Sequence, residues 1–180
     1  MGTDKIVHFV YFETTLNSDQ FISKWEHYRR SANSDADVTI QESKKNNLFT
    51  YIAEHRCNPD EFLFTFTRAA KNNRLKEVEI KTTQLGGYSI LQKEQTGCAK
   101  NDESKVFVFL NYSNKDFNLY KQAHPHSKLN IYEAYYENCV HGYILEYFIK
   151  STYVPALQEQ LQKFGIVEIS IYKEHNTKTV

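Results

Sequence analysis

The chain has 180 residues, 41% of them hydrophobic and 14% aromatic, which is enough for a real core and too apolar for a disordered segment. Lys plus Arg and Asp plus Glu number 22 each, so no long-range field draws nucleic acid or an anionic membrane, and neither is expected as a partner. Cys57, Cys98 and Cys139 show no CxxC or Cys/His ligand spacing, which argues against a disulfide framework or a metal site and for free thiols in a reducing, cytoplasmic setting.

The N-terminus, MGTDKIVHFVYFE, lacks the basic, apolar and small-residue order of a signal peptide, and Ile6 stands where a myristoylation signal needs Ser or Thr. No apolar run is long enough to span a bilayer. The run IVHFVYF, ending at Phe12, is rich in β-branched and aromatic residues and predicts a strand. Ser18 or Asp19 then caps a helix in which Phe21, Ile22, Trp25 and Tyr28 recur three or four apart. From Asn33 to Asn47 the chain is polar except for VTIQE, Val38 to Glu42, which reads either as a short strand or as an extension of the next one.

Leu48 to Thr67 predicts a hairpin turning at Asn58, Pro59 and Asp60. Beyond a short helical stretch, EVEIKTT alternates as a strand, broken by Gly86 and Gly87. The rival parse is an amphipathic helix over Arg74 to Leu85, closed by Gly86, with Tyr88 to Gln92 as the strand. Lys93 to Ser104 is polar and weakly patterned, and reads as a linker. VFVFLNY, Val106 to Tyr112, then repeats the first strand, and Lys115 to Ala123 repeats the first helix, ended by Pro125. Leu129 to Lys150 is a second hairpin. Val154 to Phe164 places Leu157, Leu161 and Phe164 on one helical face capped by Gly165, and Ile166 to Lys173 is a last strand before a tail from His175.

The segment LNIYEAYYENCVHGYILEYFIK, from Leu129, and its echo LFTYIAEHRCNPDEFLFTFTRA, from Leu48, align without a gap, pairing Tyr51 with Tyr132 and Ala53 with Ala134. That order suggests two copies of one unit, each reading strand, helix, strand, strand, helix, strand. The boundaries expected are 1–96 for the first, a linker at 97–103, 104–175 for the second and a tail at 176–180. Strands apolar in both phases cannot leave one sheet face in water, so the two sheets must cover each other. The fold class expected is α+β: two ferredoxin-like βαββαβ units packed as a pseudo-dimeric barrel.

In this element order, and in the hairpins YIAEHRCNPDEFLFTF and YEAYYENCVHGYILEYF, the chain resembles the dimeric α+β barrel superfamily in its tandem, fused form. That superfamily includes antibiotic-biosynthesis-type and haem-degrading monooxygenases, muconolactone isomerases and stress-responsive barrel proteins. The haem-degrading members carry an Asn on the first strand, a Trp and a His. Asn111 in VFVFLNY matches the first of these, but Trp25 lies on the first helix and neither second helix holds a His, so the resemblance implies no haem and no other cofactor here.

Four titratable side chains interrupt the apolar strands: His8, His55, Glu133 and Glu146. A His within an apolar strand is either a satisfied core residue or part of a polar cavity, and the two Glu become general bases if buried and rim residues if exposed. His124, His126 and His141 fall in turns, where surface positions are the default. Two readings stay open: a barrel that binds a small apolar or aromatic molecule, with cofactor-independent oxygenase or isomerase chemistry, and a non-catalytic barrel filled by its own side chains. Fusion either satisfies the dimer contact internally or leaves an edge for homo-oligomer formation.

Overall fold

The computed structural model describes residues 6–32, 37–43, 51–57, 81–95, 99–166 and 169–175. Within these the elements run β1 (Ile6–Glu13), α1 (Ser18–Ala32), β2 (Asp37–Ser43), β3 (Tyr51–Cys57), β4 (Lys81–Gln92), β5 (Glu103–Leu110), α2 (Phe117–Gln122), β6 (Lys128–Ala134), β7 (Tyr143–Lys150), α3 (Val154–Lys163) and β8 (Ser170–His175). The strands close into an antiparallel barrel in the order β1-β3-β2-β8-β5-β7-β6-β4. Each half contributes four neighbouring strands in one order, β4-β1-β3-β2 and then β8-β5-β7-β6. This is the expected α+β fold of two ferredoxin-like sheets, joined at their edges through β2–β8 and β4–β6.

Register makes the two halves equivalent residue by residue. Phe9 stands opposite Glu54, as Phe107 stands opposite Glu146. Val7 faces Tyr88, as Lys105 faces Tyr172. At the two seams Tyr88 meets Ala134 and Tyr172 meets Ser43. Equivalent positions on the inner wall therefore carry Phe, Glu and Tyr twice over.

This register replaces the gapless alignment expected from sequence. β3 pairs with β1 along one edge and with β2 along the other, so it is the counterpart of the central strand β7 and not of β6. The hairpin of the first half is β2–β3, and the second arm expected from sequence, Phe62–Phe66, lies outside the described residues. Val38 to Glu42 is a strand in its own right. Gly86 and Gly87 do not break β4: Leu85 bulges out of the pairing with β1, and Gly86 takes φ 127° at that point. Lys81–Leu85 is strand, which excludes the helical parse there. His175 belongs to β8, paired with Ile40, rather than to a tail.

Helix ends follow local chemistry. Asn17, not Ser18 or Asp19, caps α1: its Oδ1 accepts from the Gln20 amide at 3.0 Å, while Gln20 Oε1 accepts from the Asn17 amide at 3.2 Å. That is a reciprocal capping box. Asp116 accepts from the Leu119 amide to start α2, and α3 begins with Pro155 in its first turn. The buried residues of α3, Val154, Leu157 and Leu161, lie on one stripe. No helix among the described residues is long and apolar enough to cross a membrane.

Candidate functional site

Two arrangements of polar groups interrupt the core, and they lie on opposite sides of the sheet wall. The first fills the barrel interior. Phe9 stands at its centre, with the rings of Tyr132, Tyr88 and Phe107 edge-on at 5.3, 5.7 and 5.9 Å, and Tyr172 edge-on to Phe107 at 5.7 Å. Among these aromatics runs an ionic cluster. The Lys105 ammonium lies 3.2 Å from Glu54 Oε1 and 2.9 Å from Glu146 Oε1, and 5.1 Å above the Phe148 ring. Glu146 Oε2 accepts from the Tyr132 hydroxyl at 2.6 Å and from Asn130 Nδ2 at 2.9 Å. Arg56 pairs with the other oxygen of Glu54 and donates to Thr39 Oγ1 at 3.1 Å.

Burial alone would raise the Glu146 carboxyl. The Lys105 ammonium, with the Tyr132 and Asn130 hydrogen bonds, outweighs it and holds the group below the ordinary carboxylate range. Burial and the neighbouring Glu146 charge push the Tyr132 phenol far up. Glu54 and Glu146 are 0% exposed and Lys105 1%, while Arg56 keeps 32% of its side chain exposed. These side chains form an ion-paired, hydrogen-bonded network inside the barrel.

The second arrangement lies on the helix-facing side of the first sheet. His8 shares its face of β1 with Val10 and Phe12, which pack with Phe21 and Trp25 of α1. His55 is the cross-strand partner of His8, a position that puts both imidazoles side by side on one face. Trp25 lies edge-on to His55 with ring centroids 5.2 Å apart. On the other flank Tyr136, from the β6–β7 loop, lies 6.2 Å from His8.

Gly87, the β4 partner of His8, has no side chain to come between them. A Cβ there would meet His8 Cε1 and Tyr136 Cε2 at 2.8 Å each. The loop carrying Tyr136 is held from several directions. Its Tyr135 amide donates to Gly87 O at 2.9 Å, the Cys139 thiol to Gly87 O at 3.2 Å, and the Tyr112 hydroxyl to Cys139 O at 3.1 Å. His8 is 1% exposed, and burial pushes its pKa down to about 4, so its imidazole is neutral at neutral pH.

The four side chains singled out in the sequence thus separate. His8 and His55 come together. Glu146 points into the barrel, and Glu133 is half-buried elsewhere, accepting from the Tyr143 hydroxyl at 3.3 Å. Asn111 follows β5 and is exposed, so the haem-degrading signature is not assembled. His141 packs on Phe109 at 5.0 Å, half-buried, with burial lowering its pKa. No group of three or more His, Cys, Asp or Glu among the described residues is placed to hold a metal ion.

Sequence reasoning missed Lys105, Glu54 and Arg56. Lys105 stands at the start of a strand next to a polar segment, where a charge ordinarily reaches water. Its only signal was phase, since it shares a face with Phe107.

No family model and no curated protein sequence matches the chain significantly. Solved structures do. A chlorite dismutase variant from Candidatus Nitrospira defluvii superposes with a TM-score of 0.60 over 97% of this chain and 93% of its own, at 9% identity. The chain has the dimeric α+β barrel fold. An anthrone oxidase-like protein superposes with a TM-score of 0.55 over 96% of this chain and 92% of its own, at 10% identity. At such identities the likeness is one of fold, and chemistry rests on this chain's own residues.

Proposed function

We propose that this barrel protein binds a small planar aromatic molecule on the helix-facing side of its first sheet, against His8 and His55 and between Trp25 and Tyr136. The observation that carries the reading is the pairing of two imidazoles as cross-strand neighbours with an aromatic ring beside each. Flat ligands are held by such rings through offset or edge contacts.

Binding is favoured over catalysis. A His whose pKa is about 4 is a weak base, far from the near-neutral value that efficient proton abstraction needs. Oxygenation or isomerisation of a phenol would start with that abstraction.

The only Trp in the sequence, Trp25, is a built-in reporter. Anthrone is a natural first probe, since one structural neighbour is described as anthrone oxidase-like, and naphthoquinones and flavones follow. We expect saturable quenching of Trp25 fluorescence and a rise in melting temperature. A ligand at 100 times its Kd stabilises the native state by about 2.7 kcal/mol. His8→Phe should lose both signals and His141→Phe should keep them. Failure of every planar probe, or unchanged binding by His8→Phe, rejects the reading.

A further inference from the structure

We propose that Lys105 is the register key of the closed barrel: one ammonium, shared by equivalent carboxylates from the two halves, fixes how the second sheet docks on the first. Glu54 comes from β3 and Glu146 from β7, at equivalent places opposite Phe9 and Phe107. Lys105 touches both. Its own counterpart in the first half is Val7, which carries no charge, so the cluster is asymmetric where the fold is symmetric.

The seams need such a key. Within the halves, β1–β3 pairs over seven residues and β5–β7 over eight. Among the described residues the seam β2–β8 pairs over four, and β4–β6 pairs over four with an irregularity after Ile90. A slip of two residues keeps every side chain on its own face, so the apolar pattern does not oppose it. The inner wall also repeats Phe, Tyr and Ile at equivalent places, which gives a slipped docking similar surfaces to bury.

The ionic cluster does oppose a slip. Moving one sheet by two residues, about 6.6 Å, takes Lys105 out of reach of Glu54 and leaves a carboxylate buried without it. Breaking a buried ion pair in that way is strongly unfavourable, whereas replacing the whole cluster by neutral groups need not be. Specificity of docking, rather than net stability, is what the cluster supplies.

The test compares Lys105→Met in the full chain with the triple variant Lys105→Met, Glu54→Gln, Glu146→Gln, which removes the three fully buried charges of the cluster and keeps only the part-exposed Arg56. We expect the single variant to melt well below wild type and the triple to recover most of the loss. In the triple, amide exchange at β2, β8, β4 and β6 should accelerate at least about tenfold relative to the β5–β7 pairing, as expected when one cooperative unit opens before another. Seam resonances should appear as more than one set. A triple variant with wild-type seam protection and a single set of resonances would overturn the proposal. So would a uniform loss of protection through all strands, which would make the cluster simple core packing. If Lys105→Met does not fold, the triple variant still decides, because it leaves no fully buried charge unpaired: the charge that remains in the cluster, on Arg56, is about one-third exposed and reaches water.

Discussion

Two rows of side chains on equivalent strands have opposite characters. On the helix-facing side of the first sheet, the row across β1 and β3 is His8 and His55, flanked by Trp25. The matching row across β5, β7 and β6 is Val106, Tyr147 and Leu129, each 0% exposed and sealed by Leu157 and Leu161 of α3 in one apolar cluster. Its single buried hydroxyl, on Tyr147, donates to Tyr120 O at 2.8 Å. Two rungs along the same face the scaffold itself is shared: Phe21 of α1 stacks on Tyr51 at 4.1 Å, and Phe117 of α2 packs edge-on against the equivalent Tyr143 at 5.0 Å. One backbone design therefore carries a packed layer in one half and an imidazole pair in the other. The packed layer supplies stability, and the imidazole pair is where the proposed ligand would bind.

The largest expected effect is in the packed layer. Leu157 is fully buried, so Leu157→Ala should lower stability by about 3.5 kcal/mol, the usual cost of a cavity in a well-packed core. Urea denaturation measures it. Affinity of the folded protein for an aromatic probe should not change, because Leu157 serves the other half. A Leu157→Ala protein that is as stable as wild type would mean that this layer is not the structural one. Coincident loss of affinity under native conditions would mean that the two layers are not separate.

Exchanging residues between the rows sharpens the comparison further. Val106→His places an imidazole in a layer built of apolar side chains, and should cost about 3 kcal/mol from burial of a polar group without a designed partner. The reverse change, His8→Val, installs the residue type that the equivalent position 106 already holds, so it should cost less than Val106→His, and it should abolish probe binding. Equal costs in both directions would contradict the assignment of one row to packing and the other to function.

How much of this was legible beforehand depended on the face each residue takes. Strands apolar in both phases announced that both sheet faces are covered, and the barrel follows from that. The same property hid the register: with Tyr51, Ile52, Ala53 and Glu54 all buried, alternation could not show that β3 is a central strand, and a few chance identities misaligned the halves. His8 and His55 were visible as polar breaks in apolar runs. Their pairing was not, since it depends on which strands neighbour each other. Glu54 and Arg56 looked like solvated flanks of His55, and only the closed barrel brings Glu54 against Lys105, with Arg56 on its other oxygen.

The smallest of the expected effects is a pH dependence that belongs to one row alone. His8 has a folded pKa of about 4 against about 6.5 for an unperturbed imidazole. Above the unfolded value the residue is neutral in both states and contributes no pH dependence. As pH falls from about 6.5 toward 4, the unfolded chain takes up a proton that the folded protein refuses, so stability declines, and below the folded value the decline from this residue stops. At pH 5 the accumulated loss is about 2 kcal/mol by that linkage. Carboxylates, Glu146 with its lowered pKa among them, lose their stabilising charge mainly at lower pH, so the difference between wild type and His8→Phe isolates the imidazole. Chemical denaturation at pH 7 and pH 5 should show wild type losing about 2 kcal/mol more than His8→Phe. The Val106→His variant should acquire a second slope of the same sign, because its new imidazole is buried in the other half. Parallel pH profiles for wild type and His8→Phe would mean that His8 is as easily protonated in the folded protein as in the unfolded chain, and the neutral imidazole on which the binding reading depends would be lost.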